Sequence, residues 1–205
     1  MKLSEVETLK TYRPEIFLDM DGVLADFFAE YAKLAGVSSY REIPPASRDL
    51  VLKQIEGTNF FFTLPKFPQK TDALVNLATR LFGHYNICSS PLRGDHTNSE
   101  HWKKQWIKKN LNPQPKHIFI TPNKGTHAVQ PDGTRNILVD DRGAVISEWE
   151  DAGGIGIKYQ ADEDSLQVVV DGLKRALAVI KGDTPYQHQG LISLDRKTGA
   201  IAKKV

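Results

Sequence analysis

A parallel β-sheet with helices on both faces, interrupted after its first strand by a mostly helical insertion, is the fold class that the chain predicts. Three observations carry it. Short apolar runs recur at residues 16–18, 85–88, 118–120, 137–139 and 155–157, each ending in polar or small residues. Segments with helical spacing lie between them, and buried strands alternating with amphipathic helices are the mark of an α/β sheet covered on both sides. The stretch between residues 26 and 68 is too long for a simple crossover.

The run at 16–18 reads as the first strand. After it, Phe27, Phe28, Tyr31 and Leu34 suggest a helix, Pro44 and Pro45 break the chain, and residues 50–55 suggest a second helix. Leu74, Leu77 and Leu81 share one helical face. The stretch TNSE at 97–100 reads as a capping box opening a helix that carries Trp102 and Trp106. Leu166, Val169, Val170, Leu173, Leu177 and Ile180 share the face of a last helix. The expected division is a core of residues 1–26 and 69–182, a helical cap of 27–68, and an extension of 183–205. In that extension two alternating segments flank a turn signal at Lys197, Thr198 and Gly199, as a hairpin or a loose arm.

The 205 residues suit one domain with a small insertion. A formal charge of +2 argues against a strongly basic nucleic-acid binder. The single cysteine, Cys88, permits no intrachain disulfide and fits a reducing compartment. No apolar run approaches the ~20 residues that span a bilayer, and the opening MKLSEVETLK does not read as a secretory signal. The expectation is a cytoplasmic protein with no membrane partner.

The chemistry concentrates in FLDMDGVLAD. A buried strand ends at Asp19, Asp21 follows two residues later, and Gly22 permits a sharp turn. Ligands of open parallel sheets bind beyond the carboxyl ends of the strands, where both acids fall. Crowded carboxylates repel unless a cation separates them or one is protonated; magnesium, a hard ion with oxygen ligands, meets that need. NILVDDRG sets Asp140 and Asp141 after another apolar strand, so four carboxylates converge if the strands are neighbours. ICSSP adds Ser89 and Ser90 as phosphate-oxygen donors, and ITPNKG adds Lys124. Alone, Ser89 reads as a turn serine and Lys124 as a surface lysine. Together with the acids they supply nucleophile, metal ligands, donors and counter-charge, the set that phosphoryl transfer needs.

These segments, in this order, resemble the four motifs of the haloacid dehalogenase (HAD) superfamily, from about Ile16 to about Tyr159. The resemblance implies a Rossmann-like core, magnesium as cofactor, and phosphatase rather than dehalogenase chemistry, because Asp21 stands two residues after the nucleophile. DMDGVLADF, NFFFTLPKFP, ICSSPL, the region 103–106 and ILVDDR together resemble the 5'(3')-deoxyribonucleotidases, so the implied substrate is a nucleoside monophosphate. By that resemblance the catalytic residues are Asp19 as nucleophile, Asp21 as general acid–base, Ser89 and Lys124. Asp19, Asp140 and the Asp21 carbonyl would hold the metal, with Asp141 supporting. Phe61 and Phe62, from the run at 60–62, would face the base and sugar; Ser90, Arg93 and Lys103 would lie near the phosphate. A homodimer is a further family-level implication. The chain departs from the family with Ser89 where Thr is usual and with Gln69-Lys70 where Gly-Ala is common. Rival readings are a nucleic-acid 3'-phosphatase, a phosphatase of other small monoesters, a non-catalytic nucleotide binder and a response-regulator-like phosphoryl acceptor.

Overall fold

The computed structural model describes residues 13–187 and the backbone of 192–194 and 201–204. Five strands form one all-parallel sheet: β1 (Ile16–Leu18), β2 (Asn86–Ser89), β3 (Ile118–Ile120), β4 (Ile137–Asp140) and β5 (Ile155–Lys158), in the order β3-β2-β1-β4-β5. Seven α-helices flank it among the described residues: α1 (Phe27–Leu34), α2 (Arg48–Lys53), α3 (Phe60–Thr63), α4 (Lys70–Phe82), α5 (His96–Asn110), α6 (Gly143–Asp151) and α7 (Gln167–Ile180). The α/β class expected from the alternation of apolar runs and helices is the architecture found.

Alternation along each strand divides the core between two faces. Ile16, Leu18, Ile87, Ile137, Val139, Ile155 and Ile157 point to the face covered by α4, α5 and α7, against Leu74, Val75, Trp106, Val169 and Leu173. Phe17, Cys88 and Leu138 point to the other, against Val145, Ile146 and Trp149 of α6. Contact between α7 and β5 requires Gly172, where a Cβ would come 2.7 Å from Ile157. None of the helices among the described residues is long and apolar enough to cross a membrane.

The 27–64 stretch is helical, as the spacing of Phe27, Phe28, Tyr31 and Leu34 suggests. Tyr31, Ile43 and Val51 form a small core there, separate from the two sheet faces. The aromatic run at 60–62 forms the single turn α3, which the sequence did not signal because three adjacent rings carry no period.

The capping-box expectation is corrected. Helix α5 begins at His96 and follows Asp95, whose side chain makes no capping bond. That carboxylate is occupied elsewhere, accepting from Gly57 N at 2.9 Å and from Asn98 Nδ2 at 2.8 Å. Ser99 Oγ instead accepts from Leu92 N at 2.9 Å. In the extension, residues 192–194 pair antiparallel with 201–204; the turn signal at Lys197, Thr198 and Gly199 lies outside the described residues.

Candidate active site

Chain order determines where a site can form. After β1 the chain builds β2 and β3 to one side, then returns to lay β4 on the other. A crevice opens between strands at such a reversal, beyond their carboxyl ends. Leu18 pairs with Val139, and Asp19 N donates to Val139 O at 2.9 Å. Asp19 and Asp140 therefore emerge side by side. Ser89 ends β2 on the opposite flank of β1.

The turn after β1 is compact. Met20 O accepts from the N–H groups of Leu24 and Ala25 at 2.9 and 2.8 Å. Gly22 holds φ +75°, a conformation that disfavours side chains. A Cβ there would come 2.7 Å from Phe28 Cε2 and 3.0 Å from Asp141 Cγ, so the ring of α1 and the second acidic pair both abut this glycine. Among the described residues, no backbone N–H outside the regular elements bonds the Asp21 carbonyl.

Two buried lysines enter the acid cluster. Lys124 Nζ lies 2.6 Å from Asp140 Oδ2 and 3.0 Å from Asp19 Oδ1. Lys103, fully buried on α5, donates to Asp21 Oδ2 at 2.7 Å, to Ser89 Oγ at 2.9 Å and to Ser90 O at 2.8 Å. Four carboxyl groups thus face two ammonium groups. Among the described residues, Asp21 Oδ1 is buried without a hydrogen-bond partner, and Asp19 Oδ1 has only the ionic contact to Lys124.

The four acids are driven apart electrostatically. Burial raises the Asp19 carboxyl, but Lys124 and Lys103, with a hydrogen bond from Ser89, outweigh it and hold it below the ordinary aspartate range. Burial raises Asp21, and Asp19 adds to the shift against the pull of Lys103. Asp140 is raised by burial despite Lys124. Asp141 is raised furthest, by burial and then by Asp140 and Asp19. Burial disfavours the charge on Lys124, yet Asp140 and Asp19 more than restore it. A lowered carboxyl beside a raised one is the kind of separation that nucleophile and general acid need.

The structure thus brings together Asp19, Asp21, Ser89, Lys103, Lys124, Asp140 and Asp141. Lys103 contacts Asp21 and Ser89 directly. Phe61 is buried with Lys103 Nζ 4.7 Å from its ring centre, which sets it beside the cluster. Phe62 stands on another face of α5, against Trp102 and 4.6 Å from Lys109 Nζ. Ser90 meets the site through its carbonyl, and Arg93 is exposed on the loop after β2. Asp141 forms no ion pair with Lys124 among the described residues, though the Lys124 charge acts to lower its carboxyl, and that carboxylate lies against Gly22. The sequence offered no signal for Phe28, whose contact with the catalytic turn depends on the placement of α1.

The donor set fits a hard divalent cation. One carboxylate oxygen each from Asp19, Asp140 and Asp141 can be chosen so that all lie within 4.8 Å of one another. The surplus of carboxyl groups over lysines and the Asp19 oxygen without a hydrogen bond suit a hard cation with oxygen ligands.

No family model matches the chain. The cytosolic-type 5'(3')-deoxyribonucleotidase of Homo sapiens is 28% identical over 156 residues, covering 66% of this chain and 74% of that protein. The chain with this acid cluster at its sheet's switch point is therefore distantly similar to a nucleotidase.

Proposed function

We propose that this protein is a magnesium-dependent phosphatase of the HAD type, hydrolysing nucleoside monophosphates through an aspartyl-phosphate on Asp19. One observation carries the proposal. At the switch point of a parallel sheet, Asp19, Asp21, Asp140 and Asp141 gather around Lys124 and Lys103, and the lysines lower Asp19 while burial raises its neighbours. The distant likeness to a deoxyribonucleotidase supports the substrate class.

Asp19 attacks phosphorus in line; its carboxylate oxygen forms the new P–O bond as the ester P–O bond breaks. Asp21 gives its proton to the departing alkoxide oxygen. A water then attacks the phosphorus, Asp21 takes its proton, and the Asp19–phosphorus bond breaks to release orthophosphate. Lys124 and Ser89 hold the equatorial oxygens as charge redistributes. Lys103 fixes Asp21 and Ser89 relative to each other through its three hydrogen bonds. Magnesium, held by Asp19, Asp140 and the Asp21 carbonyl with Asp141 in support, would supply charge neutralisation for the phosphate. Helices α1–α3 act as the cap, with Phe61, beside Lys103, on the side of the base and sugar.

The test is a phosphate-release screen over deoxyribo- and ribonucleoside 5'- and 3'-monophosphates, with magnesium or with EDTA. Release that requires magnesium is expected for at least one. Absence of release from every monophosphate with the metal present sinks the assignment.

A further inference from the structure

The segment 36–53 shares a small core with α1, where Tyr31 packs with Ile43 and Val51 and donates to Arg48 O at 2.9 Å. It meets the rest of the molecule unequally on its two other sides. Towards α5, the residues that follow it are bolted down. Asp95 accepts from Gly57 N, Asn98 Nδ2 donates to Thr58 O at 2.9 Å, and the buried Trp106 Nε1 donates to Leu64 O at 2.7 Å. Towards β5, two polar ties reach the loop at residues 160–164. Gln160 Nε2 donates to Tyr40 Oη at 3.1 Å, and Arg41 pairs with Glu163. The ion pair is solvent-facing, with side chains 63% and 36% exposed, so water and salt screen it and it opens readily.

What those ties hold lies against the acid cluster. The Tyr40 ring stacks on Phe28 with centroids 4.3 Å apart and planes 28° apart. Phe28 in turn abuts Gly22 beside Asp141. The loop itself is anchored to the core: Ala161 N donates to Gly22 O at 2.8 Å, Asp164 Oδ2 accepts from Gln160 N at 2.8 Å, and Lys70 Nζ donates to the carbonyls of Ala161 and Asp164 at 2.6 and 2.9 Å. One rigid loop therefore grips the catalytic turn and, through exposed contacts, the segment above it.

We propose that Tyr40, Arg41, Gln160 and Glu163 form a releasable latch that closes the 36–53 segment, with the Phe28 ring, over the acid cluster. The latch makes the site selective for phosphate esters whose leaving group is large enough to be enclosed. This selectivity rests on the phosphatase assignment; the latch itself does not. A large alcohol must pass the Tyr40–Phe28 stack and be covered by it. A small activated ester reaches Asp19 without needing cover.

The test variant is Tyr40→Phe/Glu163→Leu, which keeps the ring stack while removing both ties. Hydrogen–deuterium exchange should quicken about fivefold or more at amides 38–47, with β1 and β4 unchanged. In wild type, 0.5 M sodium chloride should move the same amides in the same direction, and should have no such effect in the variant. Unchanged exchange at 38–47 overturns the latch. In kinetics, KM for the best nucleoside monophosphate should rise about threefold or more with kcat within about twofold, while p-nitrophenyl phosphate is unaffected. An equal fall in kcat for both substrates overturns the selectivity. If wild type releases no phosphate from any ester, the phosphatase assignment fails, and the exchange experiment alone still decides the latch.

Discussion

At the amino ends of the strands one acid is matched by several donors; at the carboxyl ends four acids share two lysines. Glu15, just before β1, meets His84 Nε2 at 2.6 Å and accepts from Asn86 Nδ2 at 2.7 Å and Lys116 Nζ at 3.0 Å. Asn136 and Gln130 continue that network, in which Asn86 Oδ1 is buried without a hydrogen bond among the described residues. At the opposite rim Asp21 likewise keeps an unbonded buried oxygen, but there three of four carboxyls are raised, whereas Glu15 is lowered. Both rims belong to one sheet and one set of strands. A balanced polar cluster stabilises the fold, whereas an imbalance retained at such cost marks the place where a ligand supplies the missing charge.

The contrast is broken most severely at Asp19. Asp19→Asn should lower phosphate release on the order of 10⁴-fold or more, the scale of removing a covalent nucleophile, without lowering the Tm. A rate near wild type would remove Asp19 from the mechanism. Glu15→Gln should leave the rate unchanged, since it lies at the wrong end of the strands.

A second test sharpens the electrostatics of the carboxyl rim. Lys103 opposes the burial and the Asp19 charge that raise Asp21. In Lys103→Gln that opposition is lost, so Asp21 should hold its proton to higher pH. The alkaline limb of the kcat/KM profile, where the general acid deprotonates, should then move upwards even as the maximal rate falls. A limb that stays in place, or moves to lower pH, would show that Asp21 is not the acid being titrated.

The smallest effects carry opposite signs at the two rims. Glu15→Gln should destabilise by about 1 kcal/mol, the scale of a partly exposed charge-assisted hydrogen bond. Burial raises the Glu15 carboxyl, but Asn86, His84 and Lys116 together lower it. Its stabilisation is thus present above the unfolded-state value and lost as pH falls through the folded one. Asp141→Asn should stabilise the metal-free protein by about 1 kcal/mol at neutral pH, because its carboxyl is raised. A raised acid stabilises below its unfolded value and loses that contribution as pH rises through the folded one, so the gain should vanish in acid. Denaturant melts at pH 4 and pH 7.5 measure both; a destabilised Asp141→Asn at pH 7.5 would refute the imbalance.

Gln69 shows what a family comparison leaves unexplained until backbone angles are known. It stands where the resembled family commonly has glycine, and it takes φ +65°. The neighbouring Lys70 spends its ammonium on the 160–164 loop. The departure from Gly-Ala thus accepts a strained residue before α4 and gains an anchor for the loop that carries the latch.

The strands and long helices were legible because parallel strands buried on both faces must be short apolar runs, and helices covering them must carry one apolar stripe. Boundaries slipped by a residue where pairing continues into polar positions, as at Ser89, Asp140 and Lys158. The capping box failed because it depends on which partner Asp95 finds across the fold. The sequence by itself determined the kinds of groups that end each strand: acids after β1 and β4, a serine after β2, a lysine beyond β3. Only the tertiary structure decided their sharing, with Lys124 between Asp19 and Asp140, Lys103 on Asp21, Phe62 turned towards Trp102, and Tyr40 tied to a loop 120 residues away. Local periodicity encodes which side chains leave an element and in which direction. Contacts between distant segments follow from strand order and packing, which no short stretch of sequence contains.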